Sequence, residues 1–141
     1  MLSNIYNQTI TILNKLRRTD TEDGSKDEWY KTVLTDAAWY TDSARSAGNH
    51  DVYIGTYITI LLPFHDEYYD YIEWKKLKDK SSAYTVSNGD YIIRGTVDED
   101  ITADNVVKVM ENYGERVCYV RHHNANYKRF GATVQLKIEG V

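Results

Sequence analysis

Proline is nearly missing from this chain: Pro63 stands alone among 141 residues, so no proline-rich linker divides it. Cysteine is equally scarce. Cys118 has no second thiol to pair with, which excludes an intrachain disulfide. Long apolar runs are absent too, the longest being Ile58-Thr59-Ile60-Leu61-Leu62-Pro63-Phe64, far too short to span a bilayer as a helix. The opening residues Met1 to Gln8 are mostly polar and lack the apolar core of a secretory signal, so a reducing cytoplasm is the expected folding compartment and no membrane role is expected. There is no basic excess: 17 Lys and Arg against 21 Asp and Glu give a formal charge of −4. Affinity for nucleic acid comes largely from cations that neutralise phosphates, so a general nucleic-acid binder is disfavoured. The basic clusters, Arg17-Arg18, Lys75 to Lys80 and Lys128-Arg129, are short, lie beside acids or tyrosines, and read as solvated faces.

Signatures of chemistry are also lacking. Adjacent His122 and His123 on a strand point to opposite faces, and His65-Asp66-Glu67 has no further ligand at a spacing that closes a tetrahedral site. Asp98-Glu99-Asp100 lacks the alternating ligands of a calcium loop. No nucleophile-elbow motif and no phosphate-cradling glycine loop is present. No catalytic residue, metal or cofactor is therefore expected.

What the chain has is tyrosine: 13 of them, with three tryptophans against two phenylalanines. Aromatics with a polar handle suit strands and interfaces. The length fits one domain, residues 1–141. Thr9 to Leu16 alternates with Ile10 and Ile12 on one face, a first strand. Thr19 to Asp27 is entirely polar or glycine, an exposed and mobile loop. Trp29 to Thr41 reads as two short strands or one bent at Asp36, and Ser43 to Asp51, with Gly48 and Asn49, as a second flexible loop. From Val52 to Ile60 the β-branched residues stand at period two, with Pro63 ending the strand or placing it at an edge. Glu67 to Lys80 has helical spacing at Tyr68, Tyr71, Ile72 and Lys75. Tyr84 to Ile93 reads as a hairpin about Asn88-Gly89, with Tyr84, Val86, Tyr91 and Ile93 on one face at period two. A helix capped by Thr102 carries Val106, Val109, Met110 and Tyr113 on one side and closes at Gly114. Two last strands, Arg116 to His122 and Ala132 to Ile138, complete a mainly β fold: a small antiparallel β-barrel or sandwich with one or two short α-helices.

The order of these pieces carries a resemblance. Thr9-Ile10-Thr11-Ile12-Leu13, then Trp29 to Leu34 and Ala38-Trp39, then Gly89-Asp90-Tyr91-Ile92-Ile93 before Gly95, and finally Asp98 to Thr102 with a short helix ending in Gly, resembles the small neck proteins of tailed bacteriophages. It runs from about residue 8 to residue 139. Such proteins often end on an aromatic-rich Gly-x-x-His-Trp strand, whereas here Phe130-Gly131-Ala132 leads to Val134 to Ile138 without tryptophan. The resemblance implies a structural virion protein of the head-closure type, assembled in the bacterial host cytoplasm into a hexameric or dodecameric ring. A portal or adaptor ring would lie above, a tail-completion or tail-tube ring below, with DNA only as passing cargo. Its loops and aromatics, Asp23, Gly24, Gly48, Asn49, Tyr68, Tyr69, Tyr71 and Trp74, are the candidate contacts. An adaptor or tail-completion protein of the same neck, a small nucleic-acid-binding barrel stacking bases on Tyr68 to Tyr71, and a hydrolase on a β scaffold are the alternatives.

Overall fold

A computed structural model describes residues 6–47, 52–126 and 135–141. Strand β1 (Gln8–Leu16) leads through a 3-10 turn at Arg18–Asp20 to β2 (Glu28–Ala47) and β3 (Val52–Pro63). Helix α1 (Tyr71–Lys75), β4 (Tyr91–Arg94), α2 (Val106–Tyr113), β5 (Val117–Asn126) and β6 (Gln135–Gly140) follow. The six strands close into an antiparallel barrel in the order β1-β2-β3-β6-β5-β4. Closure leaves no free edge around the wall, which is how a short-stranded β protein avoids pairing with strangers.

Period-two alternation decides what faces inward. Ile10 and Ile12 of β1, Ile58, Ile60 and Leu62 of β3, Ile92 of β4, Cys118 and Val120 of β5, and Leu136 and Ile138 of β6 meet in one interior cluster. Burial pushes the Cys118 thiol up to about 12, so it behaves as a small apolar side chain. Strands β1 and β4 are buried on their outer face as well. There Leu13 and Ile93 pack against Val106, Val109 and Met110 of α2, with Tyr113 beside them. Gly114, at φ +57°, ends this helix with its N–H on the Met110 carbonyl.

Several expectations change. Asp36 does mark an irregularity, because the β1–β2 register slips between Gln8↔Ala37 and Ile10↔Leu34, a bulge that bends one long strand. Ser43 to Ala47 is strand rather than loop, paired from Ser43↔Thr56 to Ala47↔Val52. Among the described residues β1 reaches β2 only as far as Ala37, and β6 reaches β3 only as far as Ile58. The pairs from Asp42↔Tyr57 to Ala47↔Val52 therefore form a two-stranded ribbon running about 17 Å beyond the barrel wall. Gly48, Asn49, Lys128, Arg129 and the Ala132 to Val134 start of the last strand lie outside the described residues. The helix expected over Glu67 to Lys80 shrinks to Tyr71–Lys75. Thr102 acts through its main chain: its carbonyl accepts from Asn105 and Val106, and Asn105 Oδ1 accepts the Thr102 N–H at 2.8 Å. The side chain that organises the first turn is thus Asn105.

The expected hairpin is a turn without paired arms. Asp90 N–H donates to Ser87 O at 3.1 Å, and Gly89 sits at φ +97°, the left-handed geometry that a tight turn requires there. Yet β4 pairs with β1 and β5, while Tyr84 bridges in parallel to Tyr68. Tyr84 and Val86 join the barrel interior, whereas Ile93 and Tyr91 face α2.

Candidate functional site

The connection from Phe64 to Asp90 crosses the end of the barrel where β1 stops and β2 starts. It has little regular structure, so side chains hold it. Trp74 of α1 is fully buried with Leu16 and Ala83, edge-on to Tyr30 at 5.5 Å between ring centroids. Tyr69 N–H donates to Tyr84 O, and Tyr84 N–H to Glu67 O, both at 3.0 Å. His65 ties this segment to the β2 bulge: Nε2 lies 2.7 Å from Asp36 Oδ2, and Nδ1 lies 2.5 Å from the Tyr84 hydroxyl. Burial pushes that hydroxyl above its ordinary range, so Tyr84 stays a neutral hydrogen-bonding partner.

A second anchor is fully buried. Asn14 of β1 donates to Thr85 O at 2.6 Å and to Asp90 Oδ2 at 2.9 Å, while its own Oδ1 accepts the Thr85 N–H at 3.1 Å. Asp90 also accepts the Ser87 N–H at 2.9 Å and the Lys15 N–H at 3.0 Å. Burial pushes its carboxyl up to about 6 against the pull of those N–H groups. Such a network is costly unless satisfied, and three donors satisfy this carboxylate. Its consequence is a rigid Ser87 to Asp90 turn at the barrel end.

Between that turn and α1 lies an open groove of about 670 Å³. It is lined by Arg17, by Tyr68 and Asp70 to Glu73, by Val86 to Asn88, and by His123 of β5. Arg17 immediately follows β1, and its guanidinium carbon stands 4.7 Å from the Tyr71 ring centroid. The Arg17 N–H donates to the Tyr71 hydroxyl at 3.2 Å, and that hydroxyl donates to Asp20 at 2.7 Å. Burial pushes the Tyr71 hydroxyl up to about 12, and its bond to Asp20 holds that carboxyl below the usual range. Lys75 reaches the other Asp20 oxygen at 3.3 Å. Arg17 itself is exposed and lines the groove, and its charge helps hold the Asp20 carboxyl below the usual range. Ile72 is 60% exposed, an apolar contact point between two acids. The groove thus brings together a guanidinium stacked on a tyrosine, an imidazole, two carboxylates and an exposed apolar side chain.

The candidate contacts thus divide. Tyr68 and Tyr71 line the groove and Tyr69 is exposed beside it, but Trp74 is core, a correction that its burial imposes. Tyr68 also packs edge-on against Phe64 and Tyr84, so the run Tyr68 to Tyr71 offers no continuous stacking platform. Asp23 and Gly24 are exposed in the loop after β1. Asn88, expected only as a turn residue, lines the groove, while Gly89 is buried behind it. Thr102 and Gly114 flank α2 on another face. From the sequence Arg17 read as part of a solvated basic cluster, Ile72 as one residue of a helical spacing, His123 as a rejected metal ligand and Ser87 as part of a turn; none was a candidate contact, since nothing local distinguishes an arginine that meets a tyrosine more than 50 positions away. Among the described residues no group of three metal-ligating side chains converges. No curated protein and no solved structure matches the chain. A family model does match over residues 5–141, nearly its whole length, and the chain belongs to that family of unknown function, DUF6751.

Proposed function

We propose that this protein is a structural subunit of the neck of a tailed phage or phage-derived particle, forming a ring of the head-closure type between portal or adaptor and tail. The observation that carries the reading is the closed barrel with a two-stranded ribbon projecting from its wall. A closed wall gives a rigid block that does not aggregate through its edges, and the ribbon and polar loops supply reach toward neighbouring rings. The resemblance along the chain points the same way. The adaptor and tail-completion positions share this logic and differ in which ring they touch.

The test is genetic and structural. Deleting the coding sequence from an inducible particle should leave heads and tails that fail to join, and the protein should be found by mass spectrometry in complete particles. Complete, joined particles assembled without it would sink the proposal. A salt-dependent shift of labelled DNA by the purified protein, with joining intact, would favour the nucleic-acid-binding alternative instead.

A further inference from the structure

We infer that the outer wall of the barrel at Lys15, Trp29, Tyr91, Tyr119 and Arg121 binds a nucleotide unit, its phosphate held by the two cations and its base laid against the rings.

Strand alternation builds this patch. Leu13 and Ile93 face outward onto α2, so Lys15 and Tyr91, two residues away along β1 and β4, share that outer face. Register brings their neighbours alongside, since Trp29 pairs with Lys15 and Tyr119 pairs with Tyr91. The rings run in contact across the wall, Trp29 to Tyr91 at 5.6 Å and Tyr91 to Tyr119 at 5.3 Å between centroids. A cation flanks each end. Lys15 Nζ stands 5.9 Å from the Trp29 ring centroid, and the Arg121 guanidinium carbon 5.1 Å from that of Tyr119. Lys15 also converges on the Tyr119 hydroxyl: a β-carbon at Gly89 would lie 3.4 Å from the one and 3.7 Å from the other. The three rings and Lys15 are half-buried and Arg121 is exposed, so a ligand can reach them.

The patch offers donors and little to repel an anion. Among the described residues no carboxylate forms an ion pair with Lys15 or Arg121. Lys15 does draw the Asp90 carboxyl downward, but both Asp90 oxygens are taken by Asn14 and main-chain N–H groups. Burial and then Tyr119 push the Tyr91 hydroxyl up with no carboxylate contributing, whereas acids act on the hydroxyls of Tyr30, Tyr71 and Tyr84. Glu139 shares a recess with Arg121 and is engaged by Lys137 at 3.6 Å. An ammonium, a guanidinium and a phenol hydroxyl together suit a phosphate, which accepts from all three. An acidic peptide would satisfy the cations and leave the rings unused, while a base stacks on aromatic faces whatever its sequence. Two cations neutralise few phosphates, so the binding is modest and sensitive to salt.

Full-length protein is titrated into a fluorescein-labelled octathymidylate and followed by anisotropy. With two phosphates neutralised, raising salt from about 50 to about 200 mM should weaken binding about sevenfold. Arg121→Glu should weaken it about tenfold or more and roughly halve the salt slope, whereas Lys76→Glu, at an equally exposed cation outside the patch, should change neither. Binding of dTMP should quench tryptophan emission, and Trp29→Phe should remove that quench. Competition by dTMP as strong as that by the unlabelled octathymidylate assigns the site to free nucleotides; a much tighter octathymidylate assigns it to single-stranded nucleic acid. No binding, a full salt slope in Arg121→Glu, or competition by inorganic phosphate or polyglutamate equal to that by dTMP would overturn the inference. Binding while particles still join after deletion retires the neck reading alone. Failed joining without binding retires this site alone.

Discussion

Removing the Asp90 carboxylate should destabilise the barrel and do so in a pH-dependent way. Asp90→Ala strips the acceptor from the Asn14 side chain, the Ser87 N–H and the Lys15 N–H, bonded at 2.9, 2.9 and 3.0 Å. Each buried donor left without a partner costs about 1–3 kcal/mol. Relief of the buried charge offsets part of this: a carboxyl raised from 3.8 to about 6 disfavours the ionised folded state by roughly 3 kcal/mol. The net loss at neutral pH is then on the order of 3 kcal/mol, a large share of a typical domain's stability. The folded carboxyl binds its proton more tightly than the unfolded one, so between the two pKa values the folded state holds more protons. Its contribution therefore falls as pH rises through that window and grows as pH falls. The difference between wild type and Asp90→Ala should accordingly widen by about 1 kcal/mol from pH 7 to pH 5. Comparing the two proteins cancels the other carboxylates. Urea unfolding followed by tryptophan fluorescence reads it directly: at about 2 kcal/mol per molar, the midpoint should drop by roughly 1.5 M at pH 7. A drop no larger than that of the exposed control Asp98→Ala, or a difference that stays flat with pH, would refute the account of this network.

Gly89→Val forces a β-branched residue to φ +97° and should cost on the order of 1–3 kcal/mol, read as a lower melting temperature; an unchanged melting curve would remove the turn from the argument. A Cβ at Gly140 would land on the Tyr119 carbonyl oxygen and the Cys118 sulfur, so Gly140→Ala should cost more than Gly89→Val, seen as reduced soluble yield and an earlier urea midpoint. Trp74→Ala empties a fully buried site and should cost about 3–5 kcal/mol, whereas Tyr69→Ala, on an exposed side chain, should stay within about 0.5 kcal/mol in the same unfolding assay.

Local chemistry is what the sequence by itself determined. The period-two runs of β1 and β3 assigned Ile10, Ile12, Ile58 and Ile60 to one face, and the barrel interior is built on them. The spacing of Val106, Val109 and Met110, with Gly114 behind them, placed α2 and its buried side. Asn88-Gly89 marked a tight turn because φ above zero is a property of the residue. Each of these rests on a few neighbouring residues, where backbone sterics and side-chain alternation act alone. The tertiary structure decided the rest. Ser43 to Ala47 looked like loop because small polar residues have weak strand preference, and pairing with β3 overrode it. The hairpin failed because its second arm found better partners in β1 and β5, contacts that no local pattern encodes. Trp74 reads in sequence like the tyrosines around it, yet a short α1 turned it inward onto Leu16 and left Ile72 facing solvent. The groove itself joins Arg17, Tyr71, Asn88 and His123 from four separate stretches of chain. Their neighbourhood follows from how the barrel closes, and closure is a property of all six strands together.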